Sequence, residues 1–381
     1  MQIIKKQLIK ILVNRNINRI SQFYIKQING IEIDRNYVLD PEIINKHKKK
    51  WSKIFRGKID LRWLQLYSER TKINSQDFVP ENVYYAIIEP ILNKNDFSLS
   101  YSDKNIYDLL YPDGLFPETI IRNIDGSYYN DKYLTLKIAN DEQLLDILKG
   151  NDIIIIKPSI DSGGGKDVES FMWKDQIFIN STGQILTFKY LEDFYKQNFV
   201  IQKYLHQHPF LKQFNSTSVN TIRVLTYRSP VTNSIQILHC LLRVGAKNHH
   251  VDNTNSGGYL IGVNLKGELN NFAINKYGQK FQEVNEINMP DTQFIIPCFD
   301  MLQATAKEIA ARNIHHKLLG LDMTIDNNNN IRCIEVNNEN NGINGYQSIN
   351  GTLFGQFTDE VVEYCESNMD KLYEKFEIDM Q

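Results

Sequence analysis

The sequence predicts an α+β fold of two or three lobes behind a mainly helical N-terminal region, and three observations predict it. Residues 1–97 read as mainly helical and end in "FVPENVYYAIIEPILN", where two prolines bracket a short helix. After Gly150 the text turns to strands: "DIIIIKP", "NFVIQKYL", "SVNTIRVLTYR", "IQILHCLLRVG" and "GGYLIGVNLKG". A helical segment at 298–313, "CFDMLQATAKEIAARN", interrupts them before a hairpin and a C-terminal helix from about 356. A chain of 381 residues, 42% hydrophobic, is long enough to bury a sizeable core in each lobe.

The first element, "MQIIKKQLIKILVNRNINRISQFYIKQI", reads as a basic helix with an apolar stripe at Ile4, Leu8, Ile11 and Leu12. Residues 1–60 carry a local charge of +9 against −11 for the rest, within a net charge of −2. Such a helix either docks on its own domain or rests on an anionic membrane surface or a glycosyltransferase partner. Nothing beyond this basic head points to nucleic acid. No apolar run approaches the ~20 residues of a membrane span. The opening residues show no signal-peptide pattern, and the four cysteines (Cys240, Cys298, Cys333, Cys365) have no paired spacing. A reduced, cytoplasmic protein is the expectation.

From 98 to 150 short strands and helices alternate, with a break at "YPDGLFP". Then comes "KPSIDSGGGKDVESF", residues 157–171. It fails the P-loop pattern, because Lys166 precedes Asp167 rather than Ser or Thr, and no glycine lies five positions before Gly165. The following "DVESFMW" and "QIFI" read as strands. A glycine loop between two strands can fold over a triphosphate and offer backbone N–H groups, with Lys157 adding a point charge. The alternative is a plain hairpin tip.

The hairpin "LGLDMTIDNNNNIRCIEVNNENN" carries more. With Asn327–Asn330 as a four-residue turn, Asp326 faces Ile331, Thr324 faces Cys333 and Asp322 faces Glu335. Leu321, Met323 and Ile325 then share the other face with Arg332, Ile334 and Val336, while Asn337 lies on the Glu335 face. Opposed carboxylates repel. A hard divalent cation between them reverses the sign, and Asp, Glu and an Asn amide oxygen suit Mg²⁺ bridging phosphates. The alternative is a solvated acidic face.

On these segments, with "SDKNIYDLLYPDGLFPETIIR" and "VIQKYLHQHPFL", the chain resembles the ATP-grasp superfamily, in its sugar-transfer-associated branch linked to surface polysaccharide gene clusters. The resemblance runs from about "FVPENVYYAIIEPILN" to "GYQSINGTLFGQF". It implies two α+β lobes clamping ATP: a helical region 1–97, a pre-ATP-grasp segment and N-lobe over 98–205, and a C-lobe over 206–381. By resemblance, Lys104 and Lys157 aim at phosphates, and Ser162, Gly163, Gly164, Gly165 and Lys166 form the closing loop. Gln202, Lys203 and Leu205 lie along the adenine, and His208 either reaches the ribose or phosphates or caps its own turn. Asp322, Glu335 and Asn337 match the metal triad, which implies Mg²⁺, two ions, beside ATP. Many relatives follow that asparagine with Pro-Gly, whereas this chain reads Asn338-Glu339-Asn340-Asn341-Gly342.

Arg223 and Arg243 sit inside apolar strands, where an unpaired guanidinium is costly. Their partner is an internal carboxylate, or else a γ-phosphate or acyl-phosphate. "HHVDNTNSGGYLIGV" reads as a substrate loop, with Asp252 and Asn253 as hydrogen-bonding groups, or as a plain connection. His249-His250 and His315-His316 lack a third ligand. The resemblance implies an ATP- and Mg²⁺-dependent carboxylate–amine ligase forming an amide through an acyl-phosphate, on a sugar acid or amino acid of surface polysaccharide biosynthesis. A peptide or amino-acid ligase of small-molecule metabolism, an ATP-grasp kinase and a non-catalytic nucleotide-binding regulator are the alternatives.

Overall fold

A computed structural model describes residues 2–373 except 35, 94, 161–164, 248–256 and 292. The helical head contains α1 (Gln2–Gln27), α2 (Pro41–Trp51) and α3 (Leu61–Thr71). Asp40 and Asp60 cap the last two, each accepting a hydrogen bond from the backbone N–H two residues on. Among the described residues no helix is long and apolar enough to cross a membrane.

α1 docks, but by a different face from the one its sequence suggests. Ile9 and Val13 are buried, and Ile17, Ile20 and Tyr24 pack against the core beneath. Their spacing of four, four, three and four residues follows one side of the helix. Leu8 and Ile11 are exposed, and the Ile4 side chain lies outside the described residues.

The segment "FVPENVYYAIIEPILN" also departs from expectation, since the helical run continues past Pro90 to Leu92. Proline offers no N–H to the carbonyl four residues back. The chain adjusts with a π turn over Tyr84–Ile88, where Glu89 N–H reaches Tyr84 O.

Two sheets follow. The first has the order β2-β1-β6-β3-β4-β5 and is built from β1 (Thr119–Ile124), β2 (Ser127–Tyr129), β3 (Ile153–Pro158), β4 (Glu169–Lys174), β5 (Ile177–Asn180) and β6 (Phe199–Lys203). Helix Asp141–Leu148 covers it through Leu144 and Leu148. The second begins with β7 (Thr221–Arg228), β8 (Ile235–Val244), β9 (Tyr259–Val263), β10 (Leu269–Ile274) and β11 (Lys280–Phe281). A small hairpin, β12 (Glu283–Val284) and β13 (Ile287–Asn288), leads through helix Phe299–Arg312 to β14 (Leu318–Ile325) and β15 (Ile331–Asn337). Its order is β11-β10-β9-β8-β7-β14-β15.

This second sheet is covered on both faces. Helix Phe299–Arg312 packs on one side with Ile222, Val224, Leu242 and Leu321. Residues 79–92, helix Ile343–Asn350 and helix Thr358–Ser367 pack on the other with Leu225, Tyr227 and Leu241. Every residue of β14 is buried in consequence. The helix at 343–350 is absent from the sequence reading, because "INGYQSIN" holds two asparagines and a glycine, all weak helix formers.

The β14–β15 register corrects the expected turn. Ile325, not Asp326, faces Ile331, and Thr324 faces Arg332. Asp326 instead folds into the loop, its carboxylate accepting from Asn328 N and Asn330 N at 2.9 Å each. A bulge then restores the pairing of Asp322 with Glu335. Ile331 and Cys333, rather than Arg332 and Ile334, therefore join Leu321 and Met323 in the core.

Leu321 lies fully buried in the strand that carries Asp322. Leu321→Ala is expected to lower unfolding stability by about 2–5 kcal/mol, the range for emptying such a site. Denaturant titration monitored by circular dichroism checks this.

Candidate active site

Four adjacent strands bring the charged groups together. Asp322 on β14 pairs with Glu335 on one side and Arg223 of β7 on the other, and Arg243 lies on β8 beyond. Arg223 donates to Asp322 through Nε, and through Nη2 at 2.8 Å. Arg243 Nη1 reaches both carboxylate oxygens at 3.0 and 3.1 Å. Burial alone would raise the Asp322 carboxyl, but the two guanidiniums override it and hold its pKa at about 2. The internal carboxylate that two strand-bound arginines need is thus Asp322 itself.

Glu335 finds Lys104, whose ammonium lies 2.8 Å from Oε1. Lys104 follows Asp103, which caps the turn Lys104–Ile106, and its backbone N–H donates to Ser159 O at 3.0 Å, just beyond β3. Lys157, on β3 of the other sheet, is only 6% exposed. Among the described residues no hydrogen bond or ion pair engages its ammonium group. Desolvation, then repulsion from Lys104, lowers its pKa to about 7 against the pull of Glu335.

These groups line one cavity of about 540 Å³ between the two sheets. Five basic side chains, Lys104, Lys157, Lys203, Arg223 and Arg243, share its wall with Asp322, Glu335 and Glu339. With Lys157 charged, the balance is an excess of two positive charges in a poorly solvated space, which favours an anionic ligand.

The linker from β6 forms another wall through Gln202, Lys203, Tyr204 and Leu205. The Gln202 side chain donates to Thr119 Oγ1 at 3.1 Å and Pro117 O at 3.3 Å, while Lys203 pairs with Glu118 at 2.6 Å. Gly165 lines the cavity with φ +75°, which favours glycine. Lys166 is exposed and is not among the lining residues. Ser162, Gly163 and Gly164 lie outside the described residues, as do His249, His250, Asp252 and Asn253.

His208 is also not among the lining residues. Its Nδ1 accepts from Phe210 N at 3.0 Å and caps helix Pro209–Lys212. His315 stacks on Phe97 with centroids 3.7 Å apart, and His316 Nδ1 lies 2.6 Å from Asn313 Oδ1. Asn337 Nδ2 donates to Gly320 O at 3.1 Å, leaving its amide oxygen as an acceptor. Two carboxylates and an amide oxygen on one wall are donors of the type Mg²⁺ takes. Both Asp322 oxygens accept from Arg223 and Arg243, and Glu335 Oε1 is paired with Lys104, so a cation would share or displace those contacts. Sequence reasoning missed Tyr204, Ser218 and the rim at Ser98–Ser102, where no charge or periodicity marks a lining position.

Two sheets flanking buried cations and an acidic hairpin are the arrangement expected of an ATP-grasp fold. The chain belongs to the sugar-transfer associated ATP-grasp family, whose model matches residues 88–361. Similar solved structures include the ATP-grasp ligase PsnB complexed with precursor peptide PsnA2 and AMPPNP, 13% identical, covering 72% of this chain and 62% of that one with a TM-score of 0.38. D-alanyl-alanine synthetase A from Vibrio cholerae O1 biovar eltor is 12% identical, covering 71% and 65% with a TM-score of 0.40. Biotin carboxylase from Campylobacter jejuni is 12% identical, covering 70% and 46% with a TM-score of 0.38. The chain spans less than two thirds of each of these proteins. No curated protein matches it.

Burying the charged form of Lys157 destabilises the empty protein below pH 7, and the penalty relaxes as pH rises from about 7 towards 10.5. Lys157→Met is therefore expected to raise the thermal midpoint at pH 6, with the gap to wild type closing by about pH 10. Calorimetry across that range checks it.

Proposed function

We propose that this protein is an ATP- and Mg²⁺-dependent carboxylate–amine ligase that forms an amide through an acyl-phosphate. The observation that carries this reading is Lys157, a buried ammonium group held in the same cavity as the Asp322–Glu335 pair. A regulator that only bound nucleotide would have no use for such a costly cluster. When bound, ATP supplies the phosphoryl group that activates the acid, and Mg²⁺, as two ions, disperses its charge.

In this reading the chain contributes positioning and electrostatics. Lys104 and Lys157 bind the triphosphate, with Gly165 on the cavity wall; the remaining loop residues named by resemblance, Ser162, Gly163 and Gly164, lie outside the described residues. The backbone at Gln202, Lys203 and Leu205 takes the adenine. His208 holds the turn beyond the hinge. Asp322, Glu335 and Asn337 provide the metal's oxygen ligands.

The substrate carboxylate attacks the γ-phosphorus and ADP leaves; the amine then attacks the acyl carbon, phosphate leaves and the amine's proton is released. Asp322 occupies two of the donor groups of Arg223, and the remaining N–H groups suit a developing oxyanion or departing phosphate. Arg243 shares this task from β8. Closure of the two lobes excludes water from the reactive intermediate.

The sugar-transfer association of the family supports a sugar acid or amino acid of surface polysaccharide biosynthesis as substrate, in the cytoplasm. The exposed Leu8 and Ile11, with Lys10, Arg15 and Arg19 on the same basic helix, support contact with a membrane surface or a glycosyltransferase.

Phosphate release from ATP is expected to require Mg²⁺, a sugar acid and an amine together, with a product mass equal to acid plus amine minus water. Glu335→Ala is expected to lower the rate at least about 100-fold. A product heavier by one phosphoryl group, with ADP but no free phosphate, would replace the ligase reading with a kinase. Phosphate release that ignores the amine would overturn the ligase reading in favour of hydrolysis.

A further inference from the structure

A second cavity of about 710 Å³ lies beside the first, and the site described above leaves it unused. Its size falls within the range of small-molecule sites. α1 forms one side through Val13, Ile17, Ile20 and Tyr24. Tyr85 and Glu89 form the floor, and Glu339 and Asn340 complete the wall. Those last two residues also line the first cavity. Asn340 stands three residues after Asn337, so the two cavities meet within about 11 Å of chain from the acidic hairpin.

The lining has an unusual chemistry. Tyr24 and Tyr85 stack face to face, with centroids 4.1 Å apart and planes within 6°. Glu89 is 7% exposed and lies next to them. Its Oε1 accepts from Tyr84 Oη at 3.1 Å, Asn341 N at 3.3 Å and Asn341 Nδ2 at 3.5 Å, and the backbone N–H of Asn340 also supports the carboxylate. Burial pushes this carboxyl up to about 7, and the nearby charge of Glu339 adds to the effect. Arg19 and Lys371 also border the cavity, but Arg19 is exposed and holds Asn16, and the Lys371 ammonium is held by Tyr364.

A carboxylate buried beside an aromatic stack and apolar aliphatic walls suits an organic cation more than a hydrated metal. The ammonium offsets the desolvation of the carboxylate and attracts the ring faces, while the organic body takes the apolar wall. We propose that this cavity is the acceptor site, taking a primary amine with an apolar or ring-shaped body, its ammonium against Glu89 and its body against Tyr24 and Tyr85.

The proposal rests on the ligase reading for its role, but its binding chemistry is testable alone. The ligation it feeds forms the C–N bond, breaks the acyl C–O bond to phosphate and releases the amine's proton to solvent. Glu89 acts as counter-charge and places the amine beside the Glu339–Asn340 boundary.

The test is calorimetric titration of the full-length protein with benzylamine, tyramine and glucosamine, and with benzyl alcohol as the uncharged counterpart. At least one amine is expected to bind, with benzyl alcohol at least tenfold weaker than benzylamine. Saturating AMP-PNP with Mg²⁺ is expected not to displace the amine. Glu89→Gln, which keeps the acceptor oxygen for Asn341, and Tyr24→Leu, which keeps apolar volume, are each expected to weaken the amine at least tenfold. Both are expected to leave AMP-PNP affinity unchanged. Amine binding with these properties but no ligation would uphold the site and sink the ligase reading. No binding by any of the three amines, displacement by AMP-PNP, or unchanged affinity in both variants would overturn the site, even if ligation were observed.

Discussion

Asp322 is the constraint around which the rest of the site is arranged. A buried carboxylate costs several kcal/mol unless neighbours neutralise it, and here two guanidiniums do so, one from the adjoining β7 and one from β8 beyond it. That requirement accounts for Arg223 and Arg243 in strands that are otherwise apolar. It also couples three strands of one sheet, so the positions of all three side chains depend on a single register. Removing one arginine leaves a buried charge only partly compensated, which is more damaging than losing an exposed ion pair. Glu335 and Lys104 repeat the arrangement across the cavity, joining the second sheet to the segment that leads into the first.

The chain of alternating charges ends at Lys157, which has no described counter-ion. Burying the charged form of Lys157 therefore carries an electrostatic cost. In the proposed reading, an anion bound beside Lys157 would offset that cost. On the same reading, Lys157 and the Asp322 cluster, which belong to different sheets, would both gain by sharing one anionic ligand.

Two small backbone features make the geometry possible. The bulge in β15 absorbs the extra residue of the asparagine turn, so Asp322 and Glu335 meet even though the hairpin closes one residue earlier than expected. Gly320 faces Asn337, and a Cβ there would lie 2.4 Å from Asn341 Oδ1. A side chain at 320 would push away the loop that separates the two cavities. The departure from Pro-Gly after Asn337 thus belongs to a local solution in which Asn338 and Asn341 are buried and hydrogen-bonded against the helical head.

Much of this was legible in the residues. Strand composition, the helix at 299–312, the opposition of Asp322 and Glu335, and the need of Arg223 and Arg243 for an anion follow from periodicity and the cost of buried charge. These are local properties, set by neighbours a few residues away or by one hairpin. Other features depend on which distant surfaces meet. The docking face of α1, the π turn before Pro90, the bulge at Ile334 and the helix at 343–350 are settled by packing, which outweighs weak local preference. The sequence by itself determined the α+β class and the residue types able to hold a phosphate and a cation. Only the tertiary structure decided that Asp322 is the arginines' partner, that Lys157 stands apart from any described partner, and that a second cavity adjoins the first. Those are relations between segments 79 or more residues apart, and burial rather than spacing brings them together.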